Sequence, residues 1–293
     1  MELIAFPVQC QNNIECYKST LALYRRVKSL GPDKIIFDCG NVQFFRPLGL
    51  NLLVCFISEI LSEENQPEIY FTPPSKQLVF DYIKNQGFFD CFKFESDAVQ
   101  KKIGSRIQQE TSSTGIRLKK LESLNYSYIE GVAGWLSENC SMDTETAFSI
   151  FNVTLVEVIN NVVQHSQSPI GCFVCAQAYP KEDRLILSIV DLGKGFLESL
   201  SDAYPQLQSN AQAIELAIKE GTTSKGMRNA GRGLWVLSDF LKECSGRLSI
   251  VSGNGCLTQD IDGKITVQNL NFDLCGSCIN IDINNLNDLA SRF

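Results

Sequence analysis

Residues 155–166, LVEVINNVVQHS, contain the only histidine of the 293-residue chain, His165, one helical turn beyond Asn161 and two beyond Glu157. From Asp143, a residue suited to an N-cap, the run up to His165 has helical periodicity. At about 100° per residue, Phe148, Phe151, Leu155, Val158, Ile159 and Val162 fall on one stripe, which reads as a core face. Glu157, Asn161 and His165 fall on another. A solvated face is usually richer in Lys, Glu and Gln, whereas this stripe stacks a carboxylate, a carboxamide and an imidazole at i, i+4 and i+8. Taken alone, the triplet also suits the polar side of a surface helix.

The residues that follow add chemistry. CFVCAQAYPKEDRLILSIVDLG reads as a hairpin with its polar turn near 180–183, and the apolar strand LILSIV ends in DLGKGF (191–196). Asp191 can accept a hydrogen bond from an amino group on a heterocycle, and Gly193 and Gly195 let the backbone approach a ligand closely, with Phe196 beside them. Further on, GTTSKGMRNAGRGLWVLSDFL (221–241) ends a polar, glycine-punctuated stretch with Gly231, Arg232, Gly233 and Leu234 opening an apolar helix. Exposed amides at a helix N-terminus form a cradle for phosphate. Each glycine cluster read singly is also ordinary loop chemistry.

The order Glu-x-x-x-Asn-x-x-x-His, Asp-x-Gly-x-Gly-Phe, a long polar lid at about 197–230 and Gly-x-Gly-Leu resembles the GHKL ATP-binding superfamily. Gyrase-type topoisomerases, chaperone and mismatch-repair ATPases, histidine kinases and anti-sigma serine kinases share that fold. The segment LCGSCINIDI (274–283) resembles its final glycine-hydroxyl strand, with Gly276-Ser277 where threonine is more usual. The resemblance implies an α/β sandwich of the Bergerat type over residues 116–293, binding ATP with Mg²⁺. It implies that Asn161 holds the metal, that Asp191 accepts from the adenine amino group with Gly193, Gly195 and Phe196 around it, and that Gly231, Arg232, Gly233 and Leu234 form the phosphate end. Lys225 in the lid is the implied contact to the γ-phosphate, Glu157 polarises the attacking water or hydroxyl, and His165 stands near the phosphates. With no second histidine in the chain, phosphorylation of its own histidine on a separate helix is excluded.

Residues 1–104 alternate strand-like and helix-like segments. KIIFDCGNVQFF (34–45) is a β-type run, PLGLNLLVCFISEIL (47–61) carries Pro47 at a first helical position, and PEIYFTP (67–73) is strand-like. A polar stretch with few apolar anchors, GSRIQQETSSTG (104–115), separates this α/β domain from the remainder, with a linker at 105–115. Asp38, Gly40 and Gly49-Leu50 resemble the STAS domains of anti-anti-sigma factors. The Asp-Ser pair of that family aligns with Arg46-Pro47, and proline has no hydroxyl to phosphorylate. The resemblance implies a STAS-like scaffold kept for docking a protein.

Composition bounds the rest. With 44% hydrophobic and 20% charged residues the chain reads as an ordinary soluble globular protein. A net charge of −7 and no dense basic run argue against a nucleic-acid partner. Neither the N-terminus nor the apolar window at 47–61 reads as a signal or a span, so the expectation is a cytoplasmic protein without a membrane partner. The 12 cysteines read as reduced, and the CFVC and CGSC pairs lie in strands, where side chains three apart point to opposite faces and share a metal poorly. The function expected is an ATPase switch that regulates a protein partner through the STAS-like domain. The alternatives are a serine/threonine kinase acting on a separate STAS-type protein and a nucleotide-binding pseudoenzyme, with a homodimer possible in each case.

Overall fold

The computed structural model of the chain describes residues 1–11, 13–62, 66–92, 111–112, 115–139, 144–219, 221 and 233–284. It is a mixed α/β structure with both parallel and antiparallel sheets. The chain divides into two compact units, Met1–Lys120 with Phe173–Cys175, and Leu121–Cys172 with Ala176–Phe293.

In the first unit, strands Glu2–Ala5 (β1), Lys34–Asp38 (β3) and Glu68–Thr72 (β5) form a parallel sheet of order β1-β3-β5. A short parallel pair, Gln9–Cys10 (β2) and Phe44–Phe45 (β4), lies beside it in the chain's course. Parallel neighbours need crossover connections, and helices Ile14–Leu30 (α1) and Pro47–Ile60 (α2) supply them. Asn13 caps α1 by accepting from the Cys16 amide at 3.0 Å, and Gly31, at φ +49°, ends it in the left-handed conformation. Pro47 opens α2 as expected, and most of this apolar helix is buried. The β-type run over 34–45 is interrupted. Asp38 Oδ1 accepts from the Gly40 amide at 2.9 Å, a local turn that competes with the ladder, and the chain returns to strand only at Phe44. Helix Gln77–Asn85 (α3) follows β5.

Strands Thr111–Ser112 (β6) and Gly115–Leu121 (β7) pair antiparallel, so part of the stretch read as a linker is strand; its residues 105–110, 113 and 114 lie outside the described residues. With Cys172–Tyr179 (β8), Arg184–Asp191 (β9), Arg247–Gln259 (β10) and Ile265–Asn284 (β11) they make a six-stranded sheet of order β10-β11-β9-β8-β7-β6. The expected hairpin is present, turning through Pro180–Glu182 with Asp183 at φ +50°. Cys172 and Cys175 are both buried, whereas Cys275 is exposed and Cys278 buried.

The helices of the second unit are Tyr126–Asn139 (α4), Thr144–His165 (α5), Gly195–Ser201 (α6), Asn210–Ala217 (α7) and Gly233–Glu243 (α8). The expected N-cap Asp143 lies outside the described residues. Phe151, Leu155, Val158, Ile159 and Val162 of α5 are buried, so the apolar stripe is a core face from Phe151 onward, while Phe148, nearer the start of the helix, is only half-buried. Among the described residues, Thr144–Val163 is the one helical segment long and apolar enough to cross a membrane. Within the stretch read as a polar lid, α6 and α7 are regular helices. The Asn210 end of α7 packs so closely on Gly253 and Gly255 that a Cβ on either glycine would meet it within 2.6 Å.

Candidate functional site

Asp191 ends β9 and is completely buried. Burial pushes its carboxyl up to about 6, although several donors favour the charged form. The Ser277 hydroxyl donates to Oδ2, and the Gly193 amide donates to Oδ1 at 2.8 Å. The Ser277 amide and the Ser166 hydroxyl act in the same direction. Ser277 stands directly opposite Asp191 in the β9–β11 register, so the sheet itself delivers that hydroxyl.

The turn after Asp191 is bonded to the end of α5. The Ser166 amide donates to Val162 O at 3.1 Å, continuing the helical pattern past His165, and Ser166 O accepts from the Lys194 amide at 2.6 Å. A Cβ on Gly193 would lie 2.1 Å from Ser166 O. Glycine is therefore required at 193 for the turn to touch the helix end. Gly195, at φ +72°, is likewise occupied by protein, because its missing Cβ would stand 2.4 Å from Ser252 Oγ. Phe196 is half-buried, and its amide donates to that same oxygen at 3.0 Å.

On α5, Glu157 is half-buried and Asn161 exposed. His165 is the last residue of α5, and its side chain lies outside what the structure describes. The structure pairs two residues that the sequence assigned to different tasks, since the Gly233 amide donates to Glu157 Oε2. A Cβ on Gly233 would stand 2.5 Å from Glu157 Cβ, so the glycine permits the two helices to approach. Leu234 is buried and serves the core. Lys225, Gly231 and Arg232 lie outside the described residues.

The predicted residues thus gather into two groups. Asp191, Gly193, Gly195 and Phe196 share one hydrogen-bonded cluster, and Glu157 is joined to Gly233, with α5 running from Glu157 to the turn that holds Gly193. Ser166, Ser252 and Ser277 belong to the first group; the sequence points to Ser277 only through its glycine-hydroxyl strand, without a role, and to Ser166 and Ser252 not at all. Their signal is a hydroxyl where strand alternation or a helix end calls for an aliphatic residue. A groove of about 670 Å³ elsewhere in this unit, lined in part by Ile218, Lys219, Trp235, Asp239 and Val267, holds none of the predicted residues. Among the described residues no three His, Cys, Asp or Glu side chains converge as a metal-binding group.

No protein-family model matches the chain, and no curated protein matches it.

Proposed function

We propose that the second unit is a GHKL-type ATPase module that binds ATP with Mg²⁺ and switches the contacts of a STAS-like first unit with a protein partner in the cytoplasm. The observation that carries this reading is Asp191. It is a buried carboxylate at a strand end, oriented by a hydroxyl from the neighbouring strand and by the amide of a glycine turn, and that turn is bonded to the helix bearing Glu157 and Asn161.

The residues suit the ligand. A carboxylate offers about four acceptor positions, and the donors of Ser277, Gly193 and Ser166 already take them. An adenine amino group would therefore replace one of these, the rotatable Ser166 hydroxyl being the one that can turn away. Being fully buried, Asp191 is reached only when the side chains covering it give way. Mg²⁺ is usually held by one or two protein oxygens together with phosphates and water, so the exposed Asn161 carboxamide suffices without a cluster of acidic ligands. Bound there, the ion would neutralise charge on the phosphates. Glu157, one turn earlier on α5, would orient the attacking water. The Gly233 amide that it now holds lies at the N-terminus of the 11-residue helix α8, where phosphate oxygens are favoured.

Calorimetry of the purified chain with Mg-ATP tests the reading. Saturable heat whose affinity falls in Asp191→Asn supports it, and no heat with ATP or its unreactive analogues overturns it. Incubation with γ-labelled ATP and lysate then separates the outcomes. Free phosphate alone marks the switch, and label on a second protein marks a kinase.

A further inference from the structure

On the face of the sheet that carries Asp191, rows of side chains run laterally across β9, β11 and β10. The register gives Leu187–Ile281–Leu248, then Ile189–Ile279–Ile250, then Asp191–Ser277–Ser252. The first two rows are aliphatic and buried. The third is polar and just as buried, with exposures of 0, 7 and 0%. Burying a hydroxyl costs free energy unless it is bonded, so a polar row at the end of an apolar floor needs an internal reason.

Ser252 supplies one. Its hydroxyl donates to Gly276 O at 2.8 Å and accepts from the Phe196 amide at 3.0 Å. One oxygen therefore ties the start of α6 to β11, at the residue immediately before Ser277. The two glycines are shaped to this bridge. The Ser252 oxygen fills the space a Cβ would take at Gly195, and at Gly276, with φ +85°, a Cβ would lie 2.2 Å from Asp191 O. Beyond Ser252 the β10–β11 register shifts, so this row is the last regular one before the irregularity.

We propose that Ser252 is the positioning residue for base recognition by Asp191, an inference that rests on the nucleotide-binding reading above. Fully buried, it touches no ligand and acts through others. Holding Gly276 O sets the position of Ser277, whose hydroxyl orients one carboxylate oxygen. Holding the Phe196 amide fixes the turn that brings the Gly193 amide to the other. Both constraints fall on the carboxylate that distinguishes an adenine edge, which donates from its amino group, from a guanine edge, which presents an acceptor oxygen there. Neither falls on groups that would meet phosphate. The loss of Ser252 is therefore a loss of purine discrimination.

The test compares the full chain, Ser252→Ala, Asp191→Asn and the double variant, titrated calorimetrically with ATP, GTP and inorganic tripolyphosphate. Ser252→Ala is expected to bind ATP about tenfold more weakly. Its affinities for GTP and tripolyphosphate should stay unchanged, and the double variant should bind ATP no more weakly than Asp191→Asn alone. ATP affinity equal to the parent's overturns the proposal. So does an equal loss for tripolyphosphate, or a loss that adds in full to that of Asp191→Asn. Should Ser252→Ala not fold, hydrogen exchange of the Phe196 amide in the parent chain decides the matter. Protection that rises with ATP but not with tripolyphosphate supports the role, and no change with ATP overturns it. A parent chain that binds no ATP removes the underlying reading instead, and shows this before any variant is compared.

Discussion

The amide of Gly233, the first residue of α8, donates its hydrogen bond to the carboxylate of Glu157 in the middle of α5. Glu157 thus satisfies one of the amides that a helix N-terminus leaves without an intrahelical partner. Replacing it with alanine removes both a cap and the proposed base. Glu157→Ala is expected to keep Mg-ATP binding, lower stability by about 1 kcal/mol, and reduce phosphate release by about a hundredfold or more. Calorimetry and a continuous phosphate assay on the same preparation measure the two effects. Turnover at the parent rate would take Glu157 out of the chemistry.

Gly233→Ala probes the same contact from the other side. The added Cβ would stand 2.5 Å from Glu157 Cβ and 2.8 Å from Oε2. The first of these atoms is fixed by its own helix, so α8 must shift. Overpacking of this kind costs about 1–3 kcal/mol, and denaturant unfolding should show a lower midpoint with an unchanged slope. A variant as stable as the parent would mean that the helices do not approach so closely.

Phe151 connects the two helices through the core. Buried on α5, it meets Phe240 of α8 edge-on, with centroids 5.3 Å apart and an interplanar angle of 78°. Phe151→Ala is expected to cost about 3–5 kcal/mol. Phosphate release should fall with it even where the protein remains folded, because the spacing of Glu157 and Gly233 depends on that packing. A stability change below about 1 kcal/mol would place Phe151 outside a close-packed core.

Elements whose information is local were legible before the structure. The stripe from Phe151 to Val162 repeats at the helical period, Pro47 pre-sets a helix start, and the turn residues at 180–183 separate two apolar runs, so α5, α2 and the β8–β9 hairpin stand where expected. What escaped depends on register. Ser277 reaches Asp191 across 86 positions of sequence, and Ser252 reaches Phe196 across 56. No periodicity within either segment says which residues become lateral neighbours in a sheet. The glycines at 193 and 195 read as places of close approach and Gly233 as part of a phosphate cradle. What approaches them, a helix end, a serine hydroxyl and a glutamate, is protein. The interruption after Asp38 was hidden for a different reason, since a single side-chain bond to Gly40 outweighs the β-propensity of the run around it.

Asp191 makes the proposed site sensitive to pH in a defined direction. Its carboxyl titrates at about 6 in the folded chain, against an ordinary value of 3.8. Between those values the folded chain holds a proton that the unfolded chain has released. Its contribution to stability is therefore lost as pH rises through that window, and is constant above it. Binding runs the other way. The ionised carboxylate accepts from an amino group, whereas protonation turns one of its oxygens into a donor. Affinity for ATP is expected to fall as pH drops below about 6, by up to about tenfold per unit, while the fold itself gains stability. Asp191→Asn should bind ATP more weakly by about 1.5–3 kcal/mol at neutral pH and should show no inflection near 6. Calorimetric titrations of both proteins from about pH 5 to 7.5, a range that brackets the raised carboxyl, test the assignment. An inflection that survives in Asp191→Asn belongs to another group, and Asp191 would then not be the carboxylate that recognises the base.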